Sequence, residues 1–207
     1  MGNRADTTRQ RLYDAGSAKE CDSVGDGDKQ GDVAPIRILY TAEEIKEAVS
    51  KLALAVVANC TKPITLVPIM DAAIFLATDV MRIFAEYEGL GVYLCPMQIK
   101  TRHWDGTTTV AHLLTPIPEN TDIVLVDTVI DTGETLGLAL GQLPRMPKLI
   151  AAVVIKRDKC TDPVFQKQLE VYSCFFAKGD PWLVGYGLDD KGLYRELPYI
   201  GVMHETN

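Results

Sequence analysis

Two aspartates and a hydroxyl-rich turn follow one apolar run in the middle of the chain. Asp127 comes directly after the apolar residues 123–126, and Asp131 lies four residues later. The turn after Asp131 combines hydroxyl donors with a glycine, namely Thr132, Gly133 and Thr135. Hydroxyl and backbone N–H groups bind phosphate oxygens, whereas carboxylates bind sugar hydroxyls or Mg²⁺, or accept a proton. The spacing therefore predicts a sugar-phosphate site with a general base beside it.

The residues around this segment predict a strand, a loop and a helix, in that order. Residues 123–126 form the continuous apolar run that is typical of a strand buried on both faces of a parallel sheet. We expect Asp127 to end this strand and residues 128–134 to form a loop outside the core. Leucines and an alanine at helical spacing follow over residues 136–143. Such a loop, which leads into a helix N-terminus, is where α/β proteins hold anionic ligands.

Strand and helix patterns alternate through the rest of the chain. A capping box at residues 41–44 and an apolar stripe behind it predict a helix that ends near Asn59. Residues 64–70 predict a strand, after which Asp71 is expected to be the N-cap of a helix over 72–86. Further strands are predicted at 92–95, 107–114, 148–155, 170–176, 182–188 and 199–203. This alternation favours an α/β fold with a parallel sheet and crossover helices.

Composition restricts the class of protein. The chain has 207 residues, 47% of them hydrophobic, which is enough for one α/β domain. A formal net charge of -7 argues against nucleic-acid and anionic-membrane partners, because both attract positive surfaces. The five cysteines lack a C-x-x-C pair and are expected to be reduced thiols, and the histidines have no metal-ligand spacing. No apolar run approaches the ~20 residues of a membrane span, so we expect a soluble, cytoplasmic protein.

Residues 1–34 differ from the rest of the chain. They are rich in Asp, Gly, Ser, Lys and Arg and show no hydrophobic periodicity. Such a segment cannot bury enough apolar surface to offset the entropy of ordering. We therefore predict a disordered polar tail over 1–34 and a folded domain over 35–207.

The segment V-D-T-V-I-D-T-G-E-T-L at residues 126–136 resembles the phosphoribosyl-pyrophosphate loop of the type I phosphoribosyltransferases. Its I-D-T-G-x-T portion points to the hypoxanthine-guanine (6-oxopurine) branch of that family, and the resemblance extends over about residues 36–205. It implies an open, mostly parallel sheet flanked by helices, with a small hood built from both chain ends. It also implies Mg²⁺ as cofactor, a homodimer or homotetramer, and a purine base, phosphoribosyl pyrophosphate and a nucleoside monophosphate as ligands.

The resemblance implies roles for individual residues. Asp131 matches the family's general base near N7 of the purine. The residues that match contacts to the ribose and its 5'-phosphate are Asp127, Thr128, Thr132, Gly133, Glu134 and Thr135. Lys156, at the end of the strand I-K-R, matches the lysine that recognises the exocyclic O6 of the base. The alternative for Lys156 is a solvated strand-end residue.

A second match, W-L-V-G-Y-G-L-D at residues 182–189, completes the implied site. Trp182 matches the aromatic residue that stacks on the purine, and Leu183 the residue whose backbone carbonyl meets the exocyclic group of the base. Asp189 matches the aspartate near pyrophosphate-bound magnesium, and Arg195 the arginine that contacts pyrophosphate. The alternative for Trp182 is a tryptophan in the core of the hood.

Three departures from the family pattern concern phosphate handling. Asp127-Thr128 stands where the family has a Glu-Asp pair that holds the ribose hydroxyls. Ile69-Met70-Asp71 stands in the pyrophosphate turn, where the family has a Leu-Lys-Gly sequence. The family's mobile Ser-Tyr loop has no counterpart in residues 100–106. Two hypotheses follow: an active purine-salvage phosphoribosyltransferase, or a catalytically weak or inactive relative that binds a nucleotide as a sensor or serves as a subunit of a larger assembly.

Overall fold

The computed structural model of the chain describes residues 36–100, 110–144, 149–157 and 169–203. In chain order the elements are β1 (Ile36–Tyr40), α1 (Ala42–Asn59), β2 (Ile64–Met70), α2 (Ile74–Phe84), β3 (Val92–Leu94), β4 (Met97–Lys100), β5 (Val110–Leu113), β6 (Asp122–Ile130), α3 (Glu134–Leu140), β7 (Leu149–Arg157), β8 (Glu170–Ala177), β9 (Leu183–Val184) and β10 (Ile200–Met203). The predicted tail over 1–34 lies outside the described residues. The expected loss of the mobile loop also falls there, since residues 101–109 are not described.

The main sheet is mostly parallel, as the sequence predicts. Its strand order is β5-β4-β2-β6-β7-β8, and β3 pairs with the other end of β2. The pairs β2–β6, β6–β7 and β7–β8 are parallel, whereas β4 and β5 form an antiparallel ribbon at one edge. β4 is a separate strand that the sequence patterns did not distinguish from its neighbours. In the described part of the chain, no helix is both long and apolar enough to cross a membrane.

The central strand β6 is longer than predicted. It continues past the apolar run to Ile130, and both Asp127 and Thr128 are buried within it. The expectation that Asp127 ends the strand and lies at the mouth of a loop is therefore wrong. The reason is β7, which pairs with β6 as far as Ile130 and so continues to satisfy its backbone hydrogen bonds.

Helix α1 begins and ends as predicted. The Thr41 side chain accepts a hydrogen bond from the Glu44 N–H at 3.2 Å, and the Glu44 carboxylate accepts one from the Thr41 N–H at 2.9 Å. This reciprocal pair is the predicted capping box. The face of the helix that includes Ile45, Leu52 and Val56 is buried in the core.

Helix α2 begins later than predicted, and Asp71 is not its N-cap. Residues 71–73 form a turn, Ala73 is the N-cap, and no side chain makes a capping hydrogen bond there. Ala73 is fully buried and donates its N–H to the Ile69 carbonyl at 3.3 Å, which closes the turn before the helix begins. The peptide bond between Met70 and Asp71 is cis, and Asp71 is exposed.

The hood is a small antiparallel sheet of β1, β10 and β9. Ile36 pairs with Met203, so both ends of the described chain meet there, as the resemblance implies. The predicted strand over 182–188 is reduced to Leu183–Val184. Gly185, Tyr186 and Gly187 all have positive φ angles, which an extended strand does not accommodate. In the described part of the chain, Cys95 and Cys174 are buried free thiols.

Candidate functional site

The turn that follows β6 holds a carboxylate oxygen without a partner. Asp131 comes directly after the last residue of the strand and is partly buried. Its Oδ1 atom is buried and accepts no hydrogen bond from the residues described. A buried carboxylate oxygen without a donor is costly, so this atom is available to a donor group on a ligand. A carboxylate oxygen in this position can act as a proton acceptor.

Helix α3 begins immediately after this turn. Gly133 is its N-cap, with a φ of 97° that a side chain would disfavour. The Thr132 hydroxyl accepts from the Glu134 N–H at 3.4 Å, and the side chains of Thr132 and Glu134 are exposed. Leu136 and Ala139 anchor the helix in the core. The turn therefore presents hydroxyl and backbone N–H groups at the carboxyl end of the central strand.

Asp127 and Thr128 form a buried polar pair in β6, before the turn. The Asp127 Oδ1 accepts the Thr128 N–H at 2.7 Å. Burial raises the pKa of Asp127 to about 7, although the backbone N–H groups of Thr128 and Val129 lower it in part. Thr128 is 1% exposed, and its hydroxyl has no hydrogen-bond partner among the described residues. The Thr128 hydroxyl therefore has hydrogen-bonding capacity that the described residues leave unused.

Lys156 and the segment that leads into Trp182 both lie near the end of β7. The backbone of Lys156 pairs with Ile130, which places it beside Asp131, whereas its side chain lies outside the described structure. The next residue, Arg157, contacts the Asp180 carboxylate and donates to the Pro181 carbonyl at 3.0 Å. Pro181 directly precedes Trp182. We refer to Asp131, Lys156, Arg157, Asp180 and Trp182 as the Trp182 cluster.

Trp182 has an exposed side chain on a fixed backbone. It is 57% exposed, which excludes the alternative that it belongs to the core of the hood. Its carbonyl accepts from the Met203 N–H at 2.9 Å. Leu183 is buried in β9, so only its backbone is available to a ligand. An exposed indole face beside polar backbone groups suits a planar heteroaromatic ligand.

The remaining predicted residues meet around Gly187. A Cβ atom built on Gly187 would lie 2.2 Å from the Ala72 carbonyl oxygen, so this glycine packs directly against the turn over residues 71–73, which follows Met70. The Arg195 Nη1 donates to the Gly187 carbonyl at 2.5 Å. We refer to Ala72, Gly187, Asp189 and Arg195 as the Gly187 cluster. It places the only sequence-predicted arginine beside the predicted pyrophosphate turn.

Arg195 and Asp189 form an ion pair in this cluster. The Arg195 Nη2 and Asp189 Oδ1 atoms are 2.7 Å apart, and the Asp189 Oδ2 accepts the Gly192 N–H at 2.7 Å. Both side chains are about one third exposed, so each still faces solvent. A guanidinium has five N–H donors, and Arg195 therefore retains donors for a phosphate.

The residues present fit a magnesium ion that arrives with its substrate. No group of three or more His, Cys, Asp or Glu in the described ranges could hold a metal alone. Mg²⁺, however, is usually held by one or two carboxylates together with substrate phosphates and water. Asp189 keeps free lone pairs beyond its two hydrogen bonds, so it can supply such a carboxylate.

Comparison with known families identifies the fold. The sequence profile described as phosphoribosyl transferase domain matches residues 36–191. The chain belongs to this family. It is 26% identical to a hypoxanthine-guanine-xanthine phosphoribosyltransferase of Tritrichomonas foetus over 82% of this chain and 92% of that protein. It is 29% identical to a hypoxanthine-guanine phosphoribosyltransferase of Streptococcus pneumoniae over 82% of this chain and 93% of that protein.

A shorter match and two solved structures agree with the family. The chain is 33% identical to a hypoxanthine-guanine phosphoribosyltransferase of Mycoplasma genitalium, over 44% of this chain and 50% of that protein. A hypoxanthine phosphoribosyltransferase of Staphylococcus aureus superposes with a TM-score of 0.65 at 22% identity, covering 81% of this chain and 91% of that one. A hypoxanthine phosphoribosyl transferase of Trypanosoma cruzi gives 0.67 at 19% identity, covering 86% and 95%. At these identities the structures show a shared fold.

Two features of this candidate site are absent from the sequence interpretation. The sequence interpretation gave Arg157 no role. The one signal that could have indicated a role is that Arg157 is a second cationic residue, next to Lys156 at a strand end. The contact between Gly187 and Ala72 had no sequence signal, because the two residues lie far apart in the chain. Both features act on the backbone of the loops, and both bring predicted site residues together.

Proposed function

We propose that the chain is a purine-salvage enzyme that transfers the phosphoribosyl group of phosphoribosyl pyrophosphate to hypoxanthine or guanine, with xanthine as a third candidate base. The products are the nucleoside 5'-monophosphate and pyrophosphate. The observation that carries this proposal is the free, buried Oδ1 of Asp131 beside the strand end that bears Lys156. Membership of the family and its 6-oxopurine relatives favours this enzyme over the inactive, nucleotide-binding alternative.

The Trp182 cluster would bind and activate the base. The exposed indole of Trp182 offers a stacking face, and the Leu183 carbonyl would accept a hydrogen bond from the exocyclic group. Lys156 would donate to O6, which favours a 6-oxopurine because adenine carries a donor at that position. Asp131 would accept the N7 proton as the purine attacks C1 of the ribose.

The phosphoribosyl group would lie along the turn between β6 and α3. Thr132, Gly133 and Thr135 would bind the 5'-phosphate through hydroxyl and backbone N–H groups, with Glu134 directed to solvent. Asp127 and Thr128 would hold the ribose hydroxyls. These contacts would fix C1 between the purine and the leaving pyrophosphate, where bond breaking gives an oxocarbenium-like transition state.

The Gly187 cluster would hold the leaving group. Arg195 would donate to pyrophosphate oxygens, the backbone of Met70 and Asp71 would line the turn beside them, and Asp189 would contact a magnesium ion. When bound, Mg²⁺ neutralises charge that develops on the departing pyrophosphate. We further propose a cytoplasmic homodimer or homotetramer, which light scattering coupled to size-exclusion chromatography would measure.

Turnover and binding together test this proposal. The purified protein would be assayed with phosphoribosyl pyrophosphate, Mg²⁺ and each of hypoxanthine, guanine, xanthine and adenine, with pyrophosphate release as the readout. We expect turnover with 6-oxopurines and little with adenine. Calorimetry with guanosine monophosphate measures nucleotide binding independently of turnover. Binding without turnover would support the sensor alternative, and the absence of both would refute a purine site.

A further inference from the structure

Arg157 links the end of β7 to the segment that leads into Trp182. Its side chain is 11% exposed, so the guanidinium is largely buried although Asp180, its partner, is 60% exposed. The Nη1 atom contacts the Asp180 carboxylate, and Nη2 donates to the Pro181 carbonyl at 3.0 Å. One guanidinium thus binds two successive residues that are 23 and 24 positions away in the chain.

These contacts fix the backbone of Trp182 from one side while the hood fixes it from the other. The carbonyl before Trp182 is held by Arg157, and the carbonyl of Trp182 itself is held by the Met203 N–H. The next residue, Leu183, pairs with Val202 in the hood sheet. Because the indole is mostly exposed, no surrounding core determines where it points. Its position therefore depends on these backbone anchors.

We propose that Arg157 is a positioning residue for the purine pocket: by binding Asp180 and Pro181 it holds Trp182 near the adjacent ends of β6 and β7, where Asp131 and Lys156 lie, without touching the base. This inference rests on the proposed function. A guanidinium is suited to the task because its rigid fork directs two donors at once to a carboxylate and a carbonyl. A lysine keeps the charge but has no planar fork, so it cannot hold both acceptors in the same geometry.

The proposal separates positioning from general stabilisation. An ion pair with one exposed partner adds little to stability, so the loss of Arg157 should act mainly on the loop that it anchors. The phosphoribosyl turn at residues 131–135 makes none of the hydrogen bonds described for Arg157. Removing the arginine should therefore weaken binding of the base and leave phosphoribosyl-pyrophosphate binding nearly unchanged.

The test uses Trp182 fluorescence and steady-state kinetics on the full chain. The sequence has two tryptophans, Trp104 and Trp182, so all variants carry Trp104→Phe to isolate the Trp182 signal. We expect Arg157→Met to raise KM for guanine about tenfold and Arg157→Lys to raise it several-fold, with KM for phosphoribosyl pyrophosphate changed less than twofold. Quenching of Trp182 by guanosine monophosphate should decrease in the same order. Asp180→Asn, which leaves the Pro181 contact intact, should have a smaller effect than Arg157→Met.

Controls distinguish the possible failures. Lys51→Met removes an exposed ion pair with Glu47 on α1 and should change none of these quantities. Unchanged guanine KM and unchanged quenching in a folded Arg157→Lys variant would refute the proposal, as would equal rises in both KM values. If the parent protein binds no purine nucleotide, the proposed function fails, but time-resolved anisotropy of Trp182 without ligand still tests the anchor. Faster local motion in Arg157→Lys supports it, and identical motion overturns it.

Discussion

The Trp182 cluster and the Gly187 cluster are held together by different kinds of contact. In the Trp182 cluster, side chains make the contacts: Arg157 reaches across to Asp180 and Pro181. In the Gly187 cluster, the decisive contact joins backbone to backbone, because Gly187 packs against the Ala72 carbonyl. The cluster built on backbone contacts is also the one whose neighbouring turn departs most from the family sequence, at Met70-Asp71. A backbone contact constrains the path of a loop while its exposed side chains are free to change.

The largest expected effect breaks the backbone contact. Gly187→Ala places a Cβ atom against the Ala72 carbonyl at a φ of 95°, so both a steric overlap and backbone strain oppose folding. We expect a loss of about 3 kcal/mol or more in the free energy of unfolding, measured with urea. Gly89→Ala is the matched control, since Gly89 also has a positive φ but has no atom near its Cβ position. It should cost about 1 kcal/mol, and equal losses would show that Gly187 makes no special contact.

The buried carboxylate of Asp127 in β6 predicts how stability depends on pH. Burial raises the pKa of Asp127 to about 7, so the folded chain keeps a proton that the unfolded chain releases near pH 4. The free energy of unfolding should therefore fall as pH rises from about 4 to 7, by roughly 2 to 4 kcal/mol from this group. Asp127→Asn, which keeps the acceptor for the Thr128 N–H, should lack this component. Parallel pH profiles of the two proteins would contradict the raised pKa.

The Trp182 cluster should carry the chemical step. Asp131→Asn keeps the shape of the side chain but removes the proton acceptor, so we expect turnover to fall by about two orders of magnitude or more. Binding of guanosine monophosphate, measured by calorimetry, should change little. Retained turnover in this variant would remove Asp131 from the catalytic step.

A smaller effect tests specificity in the same cluster. Lys156→Gln replaces a charged donor with an amide that can also accept a hydrogen bond. The ratio of kcat/KM for guanine to that for adenine should fall by about tenfold, because the charged donor favours a carbonyl at position 6. Lys46→Gln on the exposed face of α1 is the control and should leave the ratio unchanged. A constant ratio in the Lys156 variant would identify Lys156 as a solvated strand-end residue.

The smallest effect concerns the exposed carboxylate beside the Gly187 cluster. Asp71 is not a helix cap, so Asp71→Gly should change the free energy of unfolding by no more than about 0.5 kcal/mol. If its charge repels pyrophosphate, KM for phosphoribosyl pyrophosphate should decrease several-fold, and the decrease should shrink at high salt. An unchanged KM would mean that the Asp71 side chain does not face the ligand. Arg195 would then supply the positive charge that a lysine supplies in the family's pyrophosphate turn.

Sequence patterns predict the features that depend on neighbouring residues. The capping box of Thr41 and Glu44, the order of strands and helices, and the turn at Asp131 to Thr135 all follow from short-range spacing. The end of β6 could not be predicted in this way. The strand extends past Asp127 because it pairs with β7, which comes from a later part of the chain. The hydrogen bond from Arg157 to the Pro181 carbonyl could not be predicted either, because the two residues are 24 positions apart. Contacts between distant segments depend on how the sheet is assembled, which no local pattern records.

The pairing of β1 with β10 has a consequence for synthesis on the ribosome. Ile36 can find Met203 only after the whole intervening chain has been translated, which takes on the order of ten seconds. The strands β2, β6, β7 and β8 can assemble earlier, since each is available before the hood strands β9 and β10 emerge. During that interval β1 is a strand without its partner. Because Leu183 pairs with Val202 in the same hood, the segment that bears Trp182 is the last part of the candidate site to form.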